Sequence, residues 1–278
     1  MIMNELASII VPAYNEEKLI ERTLISLKNQ TYKPTEIIVV DNNSTDRTGK
    51  IAEKYADKVL FLKDRGAAKA RNLGAKKARG SFIFFIDADS KLSKNAVEKC
   101  VSALKNNYPA GTAKIIYESE DYKVKSIELI QNFCLEQWKI FESGFLYARK
   151  DAFEKVGGYK GKINFGENMD LLKRISKLGP LHFEKKAFLL TSPRRFVRSK
   201  DYLYALLGGF LALSGVKNIP LYAIRNEKED KKIRAMIKNL LNKKISLSPA
   251  DWKLIWVIIR RERFKELFDR YKKFFNII

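Results

Sequence analysis

The chain predicts an α/β fold in which helices flank a mostly parallel central sheet. Three observations carry this. Short β-rich apolar runs alternate with segments of helical periodicity from residue 7 to residue 86. The runs are nearly continuous in apolar residues, as in strands covered on both faces. Each run ends on polar or acidic residues, and open parallel sheets bind ligands beyond the carboxyl ends of their strands.

"ASIIV" (7–11) reads as the first strand. The loop "PAYNE" leads to a helix with Leu19, Ile20, Leu24 and Leu27 on one face. "EIIVV" (36–40) is the second strand, and "NNSTDRTGKIAEKYA" predicts a helix capped by Ser44 or Thr45. "KVLFL" (58–62), "GAAKARNLGAKKA" and "SFIFFI" follow as strand, helix and strand. Further on, "AGTAKIIYES" reads as a strand, 123–141 as an amphipathic helix and "SGFLYAR" (143–149) as a strand. A short helix, a Gly-rich turn and a helix from about Glu167 come next, and "LHFEKKAFLLTSPRRF" closes this part. There is no internal repeat or low-complexity segment.

This order brings Pro12 to Glu16, Asp41, and the pair Asp87 and Asp89 to one edge of the sheet. Two carboxylates one residue apart on a turn can share a hard divalent cation. Mg²⁺ typically uses one or two protein carboxylates and completes its shell with water and phosphate oxygens. A solvated turn capping the next helix is the plainer alternative. The position after a buried strand, beside two other polar strand ends, favours the metal.

The 278 residues, 46% hydrophobic, suffice for one large domain or a domain with an appendage. The net charge of +22 calls for an anionic partner. It is uneven: Arg194 to Ile278 holds 21 Lys and Arg against 8 Asp and Glu. Cys100 and Cys134 have no metal-ligand spacing, and a reducing cytosolic setting is expected. The opening "MIMNELASIIVPAYNEE" lacks a basic stretch and does not read as a signal peptide. The apolar run 203–216 is shorter than the ~20 residues of a spanning helix. "KKIRAMIKNLLNKK" (231–244) and the segment from Ser248 and Pro249, with Trp252, Trp256 and Phe264, read as basic amphipathic helices. They suit an anionic membrane surface, or they pack on the preceding domain. No helix-turn-helix, RRM or zinc-finger pattern supports nucleic-acid binding.

"IIVPAYNEE", "VVDNNSTDRT", "GAAKARNLGAKKARGSFIFFIDADS" and "GGYKGKINFGENMDLLKRISKLG" together resemble a family 2 glycosyltransferase of GT-A fold. The resemblance runs over about residues 6–195. It implies a domain at 1–199, with 200–278 as a basic helical region. It also implies a nucleotide diphosphate sugar donor, UDP- or GDP-linked, lying against Pro12, Ala13, Tyr14, Glu16, Asp41, Arg71, Asp87, Ala88 and Asp89. Asp89, with Asp87, would hold Mg²⁺ or Mn²⁺. Arg194 and Arg195 in "SPRRF" would clamp the diphosphate or an anionic acceptor.

The chain departs from the family in one respect. Where members usually carry Glu-Asp, it has Glu167 and Asn168, and that Asp is commonly assigned as general base. Either Glu167 or Asp170 serves instead, or the protein is slow or inactive. His182, the only histidine, sits in a predicted strand, where a structural role outweighs metal binding. The expectation is an inverting transferase acting on a lipid-linked or glycan acceptor, cytoplasmic and peripheral on the cytoplasmic face of the membrane. Its rivals are a polyprenyl- or dolichyl-phosphate sugar synthase, which needs no base, and a non-catalytic membrane scaffold.

Overall fold

The computed structural model describes residues 5–139, 143–161 and 167–196. The basic region expected at 200–278 lies outside them. The chain divides into one unit of residues 1–119 and 131–195 and a second of 120–130 and 196–278. The first unit carries the sheet.

The strands are β1 (Ala7–Ala13), β2 (Thr35–Asp41), β3 (Lys58–Phe61), β4 (Phe82–Ile86), β5 (Ser90–Leu92), β6 (Ala110–Tyr117), β7 (Phe145–Arg149) and β8 (His182–Thr191). They form one sheet in the order β3-β2-β1-β4-β7-β6-β8-β5. The run from β3 to β4 is parallel throughout. β7 then pairs antiparallel with β4 and β6, β6 runs parallel to β8, and β8 pairs antiparallel with β5. The parallel reading therefore holds for the first half, and the second half is mixed.

Neighbouring side chains on a strand enter opposite apolar layers, which is why β4 and the middles of β1 and β2 are apolar at successive positions. Ile9, Val11, Val39 and Phe84 join Leu24 and Leu27 of α1 (Ile20–Lys28) and Val97 and Val101 of α4 (Ala96–Lys105). Ile10, Ile38, Ile83 and Phe85 face the other way. They pack with Ala70 of α3 (Ala67–Lys77), Phe153 of α6 (Lys150–Lys155) and Leu171, Leu172 and Ile175 of α7 (Glu167–Ile175). A Cβ on Gly74 would lie 2.4 Å from Cγ2 of Ile10, so glycine lets α3 sit close on β1.

The remaining helices are α2 (Thr48–Ala52) and α5 (Tyr122–Trp138). Among the described residues no helix is long and apolar enough to cross a membrane.

The expected cap of α2 needs correction. Neither Ser44 nor Thr45 caps it, because the loop after β2 is engaged with the loop after β1. Ser44 Oγ accepts from the Asn15 N–H at 3.0 Å, and the Thr45 N–H donates to Asn15 Oδ1 at 2.8 Å. The carboxylate of Asp46 instead receives the Thr48 N–H at 2.9 Å.

Candidate active site

The loops after β1, β2 and β4 meet at the carboxyl ends of their strands, as the sequence predicts. Pro12 and Ala13 pair with Val40 and Asp41 in the last rungs of the β1–β2 ladder. Ala13 then accepts the Asn42 N–H at 2.8 Å. Asn15 takes a left-handed backbone, φ 52°, which asparagine tolerates. The Glu16 N–H donates to Thr48 Oγ1 at 2.7 Å and the Glu17 N–H to Asp46 at 3.1 Å. The first loop is thus fixed to the second through backbone amides.

On one side of this rim, the Tyr14 ring lies 3.5 Å beneath the guanidinium of Arg65. Asp41 is buried, and its carboxylate receives the Ser44 N–H at 2.8 Å. Asn42 Oδ1 accepts the Gly66 N–H at 2.9 Å, which ties the start of α3 to the same rim.

On the other side lies the Asp87-Ala88-Asp89 turn, and α1 fixes its backbone. Thr23 Oγ1 donates to the Ala88 carbonyl at 2.8 Å, and Arg22 Nη2 donates to the Asp89 carbonyl at 3.1 Å. Further along α1, Ser26 accepts the Leu92 N–H, and just past the end of the helix Gln30 donates to the Ser93 carbonyl. Sequence reasoning missed these residues. Their signal was polar side chains at positions 23 and 26, three apart on one face of α1.

Two arginines organise the acids. Arg71, on α3 and nearly buried, donates to Asp87 at 3.0 Å and to Glu167 at 2.6 Å. It therefore joins the turn after β4 to the start of α7. Arg194, in the 3-10 turn Pro193–Phe196, places one nitrogen 2.8 Å from both carboxylate oxygens of Glu16 and 3.0 Å from Asp89. The side chain of Arg195 falls outside what is described.

Burial pushes the Glu16 carboxyl above the ordinary glutamate value. Arg194 opposes this, and the charges of Asp89 and Asp87 add to it. Burial likewise raises Glu167 despite Arg71, again with help from Asp87.

The residues beside Glu167 do other work. Asn168 is buried: its Oδ1 accepts the Tyr159 hydroxyl at 2.7 Å, and its amide nitrogen donates to the Ser143 carbonyl. Asp170 is held by Arg174 of its own helix at 2.6 Å. Of the two candidate bases, Glu167 is the one joined to Asp87 through Arg71. His182 stands at the opposite end of β8 from Thr191, with Nδ1 2.6 Å from the Tyr147 hydroxyl and its ring against Tyr108.

The donor chemistry suits a hard cation. Glu16 and Asp89, from separate loops, already converge on one positive group. Among the described residues no cluster of three or more His, Cys, Asp or Glu forms a metal cage. Mg²⁺ and Mn²⁺ sites at phosphates do not need one, since water and substrate supply the remaining oxygens.

Comparison with known proteins agrees with this architecture. "Probable glycosyltransferase YdaM" of Bacillus subtilis (strain 168) is 32% identical over 198 residues, 62% of this chain and 47% of that protein. The chain thus spans about half the length of that relative. "Glycosyltransferase GlyG" of Streptococcus pneumoniae (serotype 4) is 27% identical over 233 residues, 74% of this chain and 73% of that protein. Among solved structures, the mannosyltransferase PcManGT from Pyrobaculum calidifontis, in complex with GDP-Man and Mn²⁺, aligns with a TM-score of 0.63 at 18% identity. That alignment covers 98% of this chain and 84% of the other. S. aureus TarS 1-349, in complex with UDP-GlcNAc, aligns with a TM-score of 0.56 at 20% identity over 74% of this chain and 66% of the other. These likenesses carry the fold, which is the GT-A fold expected from the sequence. The family profile described as "Glycosyl transferase family 2" matches residues 8–161, more than half of the chain, including the ends of β1, β2 and β4, and the chain belongs to that family.

Proposed function

We propose that this chain is an inverting glycosyltransferase that moves a sugar from a nucleotide diphosphate sugar to a hydroxyl of a glycan or lipid-linked acceptor. The observation that carries the reading is the Arg71 bridge, which sets the acid of α7 beside the acid of the β4 turn. Pro12, Ala13, Tyr14 and Asp41 would receive the nucleotide. Asp89 and Asp87 would hold Mg²⁺ or Mn²⁺, which would supply charge neutralisation for the leaving diphosphate. Arg194 and Arg195 would add positive charge there.

Glu167 would accept the acceptor's hydroxyl proton as that oxygen bonds to the anomeric carbon. The bond from that carbon to the diphosphate breaks, and its electron pair leaves with the nucleoside diphosphate. Burial favours Glu167 in this role, because a raised pKa brings a carboxylate nearer the operating pH of a general base. Arg71 would orient it. Asp170 is committed to Arg174 and is the weaker candidate.

A second reading rests on Asn168, whose amide is consumed by Tyr159 and Ser143 and cannot take a proton. A lipid phosphate acceptor is already ionised and needs no base. In either case the basic region at 200–278 would hold the chain on the cytoplasmic face of an anionic membrane, on the strength of its charge.

The test is a thermal-shift panel of UDP-, GDP- and dTDP-sugars with and without Mn²⁺. UDP-GlcNAc and GDP-Man, the donors named for the structural neighbours, come first. The right donor at 100 times its Kd should stabilise by about 2.7 kcal/mol. No stabilisation by any donor would refute the reading. Transfer to a polyprenyl phosphate, with none to hydroxyl acceptors, would select the second.

A further inference from the structure

Arg194 and Glu16 stand 178 positions apart, yet one guanidinium nitrogen lies 2.8 Å from both oxygens of Glu16. The same nitrogen lies 3.0 Å from Asp89 Oδ2. Glu16 comes from the loop after β1 and Asp89 from the turn after β4, so the arginine joins two strand ends through charged hydrogen bonds. The two acids are the more enclosed partners, with side chains 18% and 21% exposed against 51% for Arg194. Carboxylates held this close repel one another unless a cation lies between them. A single guanidinium leaves the pair one charge short of neutral, whereas a divalent ion would match it.

We infer that Arg194 is an exchangeable counter-cation: it neutralises Glu16 and Asp89 until a divalent ion takes its place between them. The inference rests on the proposed metal reading and deepens it. It adds Glu16 to the groups that face the ion and gives Arg194 a role before any donor arrives. The backbone supports of the two acids do not depend on Arg194. The Glu16 N–H is held by Thr48, and the Asp89 carbonyl by Arg22. The carboxylates can therefore stay in place while the arginine leaves. Once displaced, its planar fork is free to pair with the oxygens of a diphosphate. In molecules where Arg194 occupies the position, the ion cannot bind, so apparent affinity falls by the fraction of molecules left open.

The test measures Mn²⁺ binding alone, by electron paramagnetic resonance of the free ion, on the full chain without nucleotide. Arg194→Gln should bind Mn²⁺ about tenfold more tightly than wild type if roughly one molecule in ten is open. Arg194→Lys, which keeps the charge, should stay near wild type. Arg47→Gln removes the same charge from a neighbouring loop, where Arg47 pairs with Glu17, and should leave affinity within about twofold. A companion measurement follows the arginine Nε resonance that is absent from Arg194→Gln, and Mg²⁺ should move it. Three results would overturn the exchange: equal Mn²⁺ affinity in Arg194→Gln and wild type, equal tightening in Arg47→Gln, or a resonance that ignores saturating Mg²⁺. If none of the proteins binds Mn²⁺ without nucleotide, the exchange falls, while failure of Mn²⁺-dependent donor binding is what would bring down the metal reading.

Discussion

The two ends of the parallel strands both set a glutamate beside an arginine, buried at one end and half-buried at the other, and they use the pairing in opposite ways. At the amino ends, Glu36 receives the Ser8 hydroxyl at 2.6 Å, the Arg79 N–H at 2.7 Å and Arg79 Nε at 2.9 Å. Ser8 Oγ in turn accepts the Gly80 N–H at 2.8 Å. Burial alone would raise Glu36, but these hydrogen bonds outweigh it and hold the carboxyl below its ordinary value. At the carboxyl ends, Glu16 and Glu167 share their arginines with Asp89 and Asp87, and burial raises both. A carboxylate that accepts three hydrogen bonds from its own chain joins β1, β2 and the start of β4. Carboxylates that compete for one guanidinium are under-compensated, and that is the state of a site awaiting a ligand.

The largest effect should come from the carboxyl end. Glu167→Gln should lower single-turnover transfer to a hydroxyl acceptor by about 10²-fold or more, with the melting temperature unchanged or raised. The sign follows from the shift. A carboxyl whose folded pKa lies above its unfolded one makes the ionised form a cost to the fold, and glutamine removes that cost. The pH profile follows the same sign. A base is lost when protonated, so wild-type activity should fall, as pH drops, at a value above that of an ordinary glutamate. That limb should vanish in the mutant.

Glu36→Gln should do the reverse. It removes charge-assisted hydrogen bonds worth roughly 1.5–3 kcal/mol and should lower the urea midpoint while leaving donor binding intact. With its folded pKa lowered, Glu36 contributes stability above its unfolded pKa and loses it as pH falls through the folded value. Acidification should therefore silence turnover before it weakens this end of the sheet. Loss of donor binding in Glu36→Gln would blur the distinction between the ends.

Asn168→Asp sharpens the comparison from within α7. It would place a carboxylate against the Ser143 carbonyl, which now accepts from the amide. A cost of about 1–3 kcal/mol is expected, read as a lower urea midpoint, with no gain in transfer. The smallest effect belongs to Thr23→Val, which removes the hydroxyl that holds the Ala88 carbonyl. It should cost about 1 kcal/mol and weaken Mn²⁺-dependent nucleotide binding, with Thr23→Ser restoring both.

What could be read in advance follows the range of the interactions. β1, β2 and β4 are long apolar runs, and the acids after them are local in sequence, so the rim was legible. So was the start of α7 at Glu167. The Arg194–Glu16 pair and the hold of α1 on Ala88 and Asp89 join residues 178 and 67 or 65 positions apart, and no periodicity announces them. The ten-residue α4 and the three-residue β5 went unread. Ser44 and Thr45 had the chemistry of caps, but contacts with Asn15 took them instead. Asn168 was legible as a departure from the family, while its burial against Tyr159 and Ser143 was not.

On this reading the carboxyl end of the sheet binds and the amino end supports. Titration calorimetry of UDP and GDP with and without Mn²⁺, on wild type, Asp89→Asn and Glu36→Gln, tests it most directly. Mn²⁺-dependent binding of one nucleotide is expected for wild type and for Glu36→Gln, and none for Asp89→Asn. Equal Mn²⁺-dependent binding by Asp89→Asn and wild type would contradict it.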